Sequence, residues 1–202
     1  MQTADEVKSE RIAKRISRAG VCSRRKAEVM ITEGRVKVDG NIIDTPATLV
    51  TEASDIRIDG KPLPKNEPSR VWMLHKPHSV ITTDNDPEGR TTVFDILPKD
   101  MPRVMTVGRL DLNSEGLLLL TNDGEIARHM ELPATGWTRR YRVRTNGTPT
   151  AETLRQLKKG MVVDGVHYGS VSAQIDREQG SNCWLTVSLT EGKNREIRVL
   201  FN

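Results

Sequence analysis

Four consecutive leucines at residues 117–120 constrain the fold of this chain more than any other feature. They follow Gly116 and are closed by the turn-forming sequence Thr-Asn-Asp-Gly at residues 121–124. A run this apolar and this short predicts either a fully buried strand or the start of a core helix. Asp111, just before the leucines, is therefore expected at the edge of a core. Burial raises the pKa of a carboxyl group there unless a cation keeps it ionised, and Asp111 is our candidate catalytic nucleophile.

Composition limits the class of protein. The chain has 202 residues, of which 36% are hydrophobic, as suits a globular protein with room for two domains. No apolar stretch approaches the ~20 residues of a membrane helix, and the polar N-terminus lacks the apolar region of a signal peptide. We therefore expect a cytoplasmic protein with no membrane-spanning segment. Cys22 and Cys183 lie far apart, so we expect neither a disulfide framework nor a thiolate metal site.

Positive charge is concentrated near the N-terminus. Residues 8–26 hold eight basic residues and only one acid, Glu10, a local balance of +7, whereas the whole chain has a net charge of +4. The remainder is therefore net negative, 4 − 7 = −3. Basic residues interspersed with apolar ones predict a folded surface for a polyanion, and RNA, DNA and acidic membranes all remain open at this point.

Two short helices are predicted in this basic block. Apolar residues and arginines each recur at helical spacing from Arg11 onward, and Gly20 is expected to end the first helix. Ser23 is expected to cap a second helix from residue 24 to about residue 33. The alternating residues 35–38 and the turn Asp39-Gly40 then predict a β-hairpin.

This order of helix, helix and hairpin resembles the small RNA-binding domain named after ribosomal protein S4. The sequences Gly-Val-Cys-Ser-Arg-Arg-Lys-Ala-Glu and Glu-Gly-Arg-Val-Lys-Val-Asp-Gly carry the resemblance, which covers residues 9–60. A solvated basic face is the simpler alternative, but the concentration of charge favours RNA binding. The resemblance assigns the RNA-facing positions to Ser23, Arg24, Arg25, Arg35 and Lys37.

A second domain is predicted after a proline-rich linker. Residues 61–69 contain three prolines, which disfavour helix and central strand, and residues 70–202 form the second domain. Its predicted helices are residues 125–130 and 152–159, and its predicted strands are residues 71–74, 80–83, 104–107, 140–145, 161–163, 171–175 and 185–189. We expect an α+β fold with a mainly antiparallel mixed sheet and flanking helices.

Few residues of this domain can carry chemistry. The four histidines are scattered and do not indicate a metal site or a Ser-His-Asp arrangement. Alternation places Arg140, Arg142 and Arg144 on one face of a strand and Tyr141 on the other; such a tyrosine is more often a core residue than a catalytic one. Arg198 lies between apolar neighbours, so it is expected to point inward or along a groove toward a carboxylate such as Asp111.

The motifs together resemble the RsuA-type family of bacterial rRNA pseudouridine synthases, closest to the branch that acts on large-subunit (23S) rRNA. The resemblance is carried, in order, by Lys-Pro at 76–77, residues 85–95, the segment 108–124, Arg-Tyr at 140–141 and residues 191–198. It implies that Asp111 is the nucleophile, that Tyr141 stacks on the target uracil and helps to deprotonate carbon 5, and that Arg198 pairs with Asp111. Within these motifs we also predict substrate contacts from Lys76, Arg109, Arg140, Lys193 and Arg195.

The resemblance implies a monomeric enzyme that uses neither a cofactor nor a metal. Ser79 stands where the family usually has glycine, Ser114 where threonine is common, and Arg139 where lysine is common. Family members continue past the last predicted helix, so we expect the catalytic domain to be incomplete at Asn202. Two alternatives are a non-catalytic RNA-binding or ribosome-assembly factor and a glycoside hydrolase. The hydrolase would need two opposed carboxylates, and it ranks last because Asp111 and Glu115 are neighbours.

Overall fold

The computed structural model describes residues 9–201. The chain forms two compact units, divided between Arg128 and His129. Among the described residues, no helix has both the length and the apolar character to cross a membrane.

The N-terminal part of the first unit packs two helices on small antiparallel sheets. The helices are α1 (Ile12–Arg18) and α2 (Arg24–Thr32). Strand β1 (Glu10–Arg11) pairs with β4 (Leu49–Val50), and a second sheet has the order β3 (Asn41–Ile43), β2 (Val36–Val38), β5 (Ile56–Ile58) and β6 (Lys61–Pro62). A shared apolar core includes the fully buried Ile12, Ile16, Ile31 and Val36.

Local signals in the sequence explain these elements. The Ser23 hydroxyl accepts a hydrogen bond from the Lys26 amide at 3.3 Å, which confirms the predicted cap of α2. Asp39 and Gly40 both have positive φ, 51° and 84°, as a two-residue hairpin turn requires. Lys61 and Pro62, assigned to the linker from sequence, instead form the edge strand β6.

The rest of the first unit is built on a three-stranded antiparallel sheet. Its order is β7 (Val71–Lys76), β9 (Gly116–Thr121) and β8 (Met105–Val107), and helix α3 (Gly124–Glu131) follows β9 and continues past the division between the units. The four leucines form a strand, which decides between the two interpretations. Full burial was wrong: Leu118 and Leu120 are buried, whereas Leu117 is 64% exposed, because only one face of this sheet packs on the core.

One predicted strand does not form. Residues 80–83 make a single parallel bridge, Ile81 to Thr92, instead of a ladder. The Thr82 hydroxyl donates to the backbone carbonyl of Leu110 at 2.9 Å. This segment therefore supports the loop that contains Asp111 rather than extending a sheet.

The second unit contains a longer antiparallel sheet with the order β10 (Arg139–Asn146), β14 (Asn182–Leu189) and β13 (Ser172–Gln179). Helix α4 (Ala151–Lys159) packs on β13, a hairpin joins β11 (Met161–Val163) to β12 (Val166–Tyr168), and α5 (Glu196–Leu200) ends the described chain. The core is built on Leu157, Val171, Leu185 and Val187. The predicted α+β class, with mainly antiparallel sheets and flanking helices, is confirmed.

Candidate active site

Asp111 lies in the irregular loop between β8 and β9 and is half-buried. The Ser114 amide donates to the Asp111 carbonyl at 3.0 Å and closes a tight turn just after the candidate nucleophile. Gly108 and Gly116 at the two ends of the loop have φ of 71° and 119°, a region that glycine adopts at little cost. The two glycines thus allow the chain to leave β8 and to enter β9 around the carboxylate.

Lys76 holds this loop from the end of β7. Its side chain is fully buried, and its ammonium donates to the backbone carbonyls of Ser114 at 2.7 Å, Pro77 at 3.0 Å and Leu112 at 3.4 Å. An ammonium has three N–H donors, so the three carbonyls account for all of them. The Ser79 amide also donates to the Leu112 carbonyl, at 2.9 Å.

The electrostatics of Lys76 fit this position. Burial lowers the pKa of the Lys76 ammonium, and the negative charges of Asp111 and Glu115 act in the opposite direction. Lys76 was predicted from sequence to contact substrate. The structure instead gives it a positioning role, because its side chain is inaccessible and its donors already bind backbone. No pattern in the sequence marks such a clamp.

Tyr141 lies on β10 opposite Val187 of β14, and its ring packs on the apolar core of the second unit. Side chains of β10 alternate between half-buried and exposed, as the sequence predicted. Arg140 therefore faces solvent on the opposite side of the strand from Tyr141. The sequence predicted these opposite faces, and Arg140 as a substrate contact stays a prediction.

Arg139 at the start of β10 organises the loop of residues 190–195. One terminal nitrogen of its guanidinium, Nη1, donates to the carbonyls of Thr190 and Glu191 at 3.1 and 3.0 Å, and the second terminal nitrogen, Nη2, donates to those of Met130 and Glu131 at 3.5 and 3.3 Å. A planar fork can hold two segments in this way, which a lysine cannot reproduce. In the sequence, Arg139 is visible only as a departure from the lysine common in the family, and no local signal indicates this role.

The same loop is held at its other end by Glu196, the first residue of α5. One carboxylate oxygen of Glu196 accepts a hydrogen bond from the Lys193 amide at 2.8 Å, and the side chain is buried, which raises its pKa. Arg195 just before it has a positive φ of 52°. The Lys193 ammonium forms an ion pair with Glu191 at 2.7 Å and lies 5.6 Å from the centroid of the Tyr168 ring.

Other predicted site residues are placed plainly by the structure. Arg109 in the Asp111 loop and Lys193 and Arg195 in the second loop are exposed. Arg198 on α5 is also exposed. Its apolar neighbours had suggested that the side chain points either inward or along a groove, and its exposure excludes the inward orientation. Within residues 9–201, no cluster of three or more histidine, cysteine, aspartate or glutamate side chains could hold a metal ion.

Of the predicted RNA-binding residues of the N-terminal domain, Ser23 is half-buried and caps α2. The four basic residues fall into two groups. Arg24, Arg25 and Lys37 are exposed. Arg35 is bound by two carboxylates, with a bidentate contact to Asp59 at 3.0 and 2.7 Å and a contact to Glu33 at 3.2 Å. The Arg35 guanidinium accordingly holds the pKa of Asp59 below its usual value. Much of the Arg35 charge is therefore neutralised within the domain.

The basic face of α1 is likewise engaged inside the first unit. Lys14 forms an ion pair with Glu125 of α3 at 2.6 Å, and Arg18 contacts Glu10 at 3.0 Å. The sequence had indicated a positive face open to a polyanion, and charge periodicity alone could not reveal these carboxylates. Lys8, the first basic residue of the block, lies outside the described residues.

Comparisons with known proteins identify the class as an RNA-modifying enzyme with an attached RNA-binding domain. Residues 70–202 match the family described as RNA pseudouridylate synthase, and residues 10–62 match the S4 domain. The chain belongs to the RNA pseudouridine synthase family. Its resemblance to the RsuA-type synthases is thereby confirmed.

Individual relatives agree with this family. An uncharacterized RNA pseudouridine synthase of Rickettsia prowazekii is 48% identical over 191 residues, which span 95% of this chain and 80% of the relative. Ribosomal large subunit pseudouridine synthase B of Salmonella typhi is 42% identical over 96% of this chain and 68% of its own length, and that of Yersinia pestis is 40% identical over 95% and 62%. A crystal structure of a pseudouridylate synthase shares the fold, with a TM-score of 0.63 over 95% of this chain and 81% of that one at 20% identity.

Proposed function

We propose that this enzyme isomerises one specific uridine of large-subunit ribosomal RNA to pseudouridine. The observation that carries the proposal is the similarity to two enzymes named ribosomal large subunit pseudouridine synthase B, which extends over nearly the whole chain. An enzyme with this substrate acts where ribosomes are made, so the proposal places it in the cytoplasm. The proposal also includes a monomer, and it includes no cofactor or metal because the isomerisation involves no redox change.

The reaction explains which groups are needed. The bond between nitrogen 1 of uracil and carbon 1′ of ribose breaks, the base turns, and carbon 5 forms the new bond to carbon 1′. Carbon 5 loses its proton and nitrogen 1 gains one, so atoms and electrons balance without an oxidant. A carboxylate can start this sequence by attacking base or sugar only when it is ionised, and in our proposal that carboxylate is Asp111.

The loop geometry supports Asp111 as the nucleophile. Its backbone is fixed by the turn to Ser114, and the loop around it is fixed by the buried ammonium of Lys76. Fixed position is a large part of what an enzyme supplies to a reacting group. Tyr141 as the residue that stacks on uracil and deprotonates carbon 5, and Arg198 as the partner that keeps Asp111 ionised, are assigned by the family resemblance.

RNA recognition is proposed to use the exposed cations. Arg24, Arg25 and Lys37 of the N-terminal domain would bind phosphates, and Arg109, Lys193 and Arg195 would bind the strand beside the target. The target base must leave its stack, which costs on the order of a few kcal/mol. Stacking on an aromatic ring and charge contacts to neighbouring phosphates offset that cost.

The proposal is tested by tritium release from large-subunit rRNA labelled at carbon 5 of uridine. Wild type should release tritium from one position, and Asp111→Asn should lower the rate by a factor on the order of a thousand or more, as expected when a covalent nucleophile is removed. The matched control is Asp100→Asn, a change at an exposed carboxylate, which should keep the wild-type rate. Release that survives Asp111→Asn contradicts the nucleophile, and tight RNA binding without release by wild type favours an assembly factor.

A further inference from the structure

The solvent-facing side of the sheet in the second unit carries arginines around one tryptophan. Arg140, Arg142 and Arg144 are exposed along β10. Trp184 of β14 lies opposite Arg144 on one side and opposite Arg177 of β13 on the other. We call these five side chains, Arg140, Arg142, Arg144, Arg177 and Trp184, the arginine face.

Two of the arginines are ordered by the tryptophan. The guanidinium carbon of Arg142 lies 4.8 Å from the centroid of the Trp184 ring, and that of Arg144 lies 5.9 Å from it. Stacking of this kind uses the flat face of a guanidinium and leaves its N–H groups at the edges. Those edges can still donate to an anion, since no carboxylate among the described residues forms an ion pair with either arginine.

The charge on this surface is strongly one-sided. Four arginines stand beside one acid, Asp176, whose carboxylate accepts hydrogen bonds from the Thr186 hydroxyl at 2.9 and 3.0 Å. The other side chains that the register places on this side are polar and uncharged, namely Asn146, Ser172, Gln174, Gln179, Asn182 and Ser188. A surface with this composition does not suit an apolar partner, and its charge is complementary to a polyanion.

We propose that the arginine face is a second RNA-binding surface, which holds the phosphates of a single-stranded RNA segment away from the reacting uridine. Alternate residues of a strand repeat every ~6.8 Å, a spacing similar to that of successive phosphates on an extended nucleic acid strand. The surface lies on the opposite side of β10 from Tyr141, so it is separate from the proposed contact with uracil. The inference rests on the part of the proposed function that makes RNA the partner, and it does not depend on Asp111 as the nucleophile.

The experiment measures binding of the full chain to a short fluorescein-labelled single-stranded RNA of mixed sequence, by anisotropy over a series of salt concentrations. Arg142→Gln/Arg144→Gln should weaken binding on the order of tenfold at low salt. It should also make the slope of log K against log salt shallower by roughly 1.4, since each phosphate contact on a single strand contributes about 0.7. The matched control is Lys158→Gln/Lys159→Gln at the end of α4, which removes the same charge from exposed residues outside the arginine face.

A further variant separates an RNA contact from a structural role. Arg142→Lys/Arg144→Lys keeps both charges and should restore most of the salt slope, whereas damage to the sheet would leave the slope shallow. An unchanged affinity and slope in the glutamine variant would overturn the proposal. So would an equal loss in the α4 control, or a loss that the lysine variant does not reverse. Because the readout is binding, failure here is distinct from failure of the tritium-release experiment.

Discussion

The two loops that contain the predicted site residues are both irregular, and each is held by one basic side chain, but the two side chains act differently. Lys76 is fully buried, and its ammonium binds three carbonyls close to Asp111. Arg139 is half-buried, and its guanidinium joins the loop of residues 190–195 to the end of α3. One side chain fixes a loop from inside a core, and the other connects two segments near the surface.

The difference predicts unequal sensitivity to substitution. Water cannot replace a buried ammonium, so removal of Lys76 leaves buried carbonyls without donors. Water can replace part of the hydrogen bonding of Arg139, and the remaining contacts of its loop, such as that of Glu196 to the Lys193 amide, stay in place. We therefore expect the Asp111 loop to be fixed by one indispensable group and the second loop to be adjustable.

The largest effect is expected for Lys76→Met, which keeps the apolar stem and removes the ammonium. Loss of the donors should lower the free energy of unfolding by roughly 3 kcal/mol. It should also lower the rate of tritium release by at least about a hundredfold, because the loop around Asp111 is released. Urea denaturation and the tritium assay measure the two effects, with the exposed Lys99→Met as control. If Lys76→Met is as stable as wild type, the buried ammonium is not what fixes the Asp111 loop.

A smaller effect is expected for Arg139. Arg139→Ala should lower the free energy of unfolding by about 1–2 kcal/mol, since its hydrogen bonds are partly accessible to water. Arg139→Lys should fall between alanine and wild type, because an ammonium can reach one pair of carbonyls but cannot join both segments. Calorimetric melting of the three proteins tests this order. If Arg139→Lys melts at the same temperature as wild type, the planar guanidinium of Arg139 is not what joins the loop of residues 190–195 to the end of α3.

The smallest effect is expected for Glu196→Gln, and it depends on pH. Burial raises the pKa of Glu196 above its ordinary value of 4.5, so the folded protein binds this proton more tightly than the unfolded chain does. The stability that it contributes is present below about pH 4.5 and is lost as the pH rises through the raised pKa. Glutamine does not titrate, so the stability of the variant relative to wild type should increase across that window.

Urea denaturation of both proteins over a series of pH values from roughly 4 to 8 measures this difference. Parallel stability curves for wild type and Glu196→Gln would contradict the raised pKa. A difference that decreases with pH would contradict its sign.

Sequence predicted the elements whose signals are local. Ser23 as a cap, the turn Asp39-Gly40 and the alternation along β10 were all confirmed because each depends on neighbouring residues. The leucine run was more difficult, since the exposure of Leu117 depends on which side of the sheet packs on the core. A run of one residue type does not contain that information.

The sequence predicted which residues belong to the candidate site, but not which groups they contact. The motif around Asp111 could be recognised, but nothing in the sequence shows that Lys76 donates to the backbone of a loop nearly forty positions away. Arg35 was expected to be available to RNA, and the bidentate partner that engages it, Asp59, lies 24 positions further along the chain. Long-range contacts between side chains and backbone leave no periodic pattern.

Ser79 introduces a small conformational strain into the bend that supports the Asp111 loop. Its φ of 63° lies in the left-handed region, which costs a non-glycine residue roughly 1 kcal/mol, while its amide still donates to the Leu112 carbonyl. A replacement at this one position could therefore change the rigidity of the loop without altering any group proposed to contact RNA. During evolution, substitution of Ser79 thus offers a way to adjust how tightly the loop of Asp111 is held while the side chain of Asp111 stays the same.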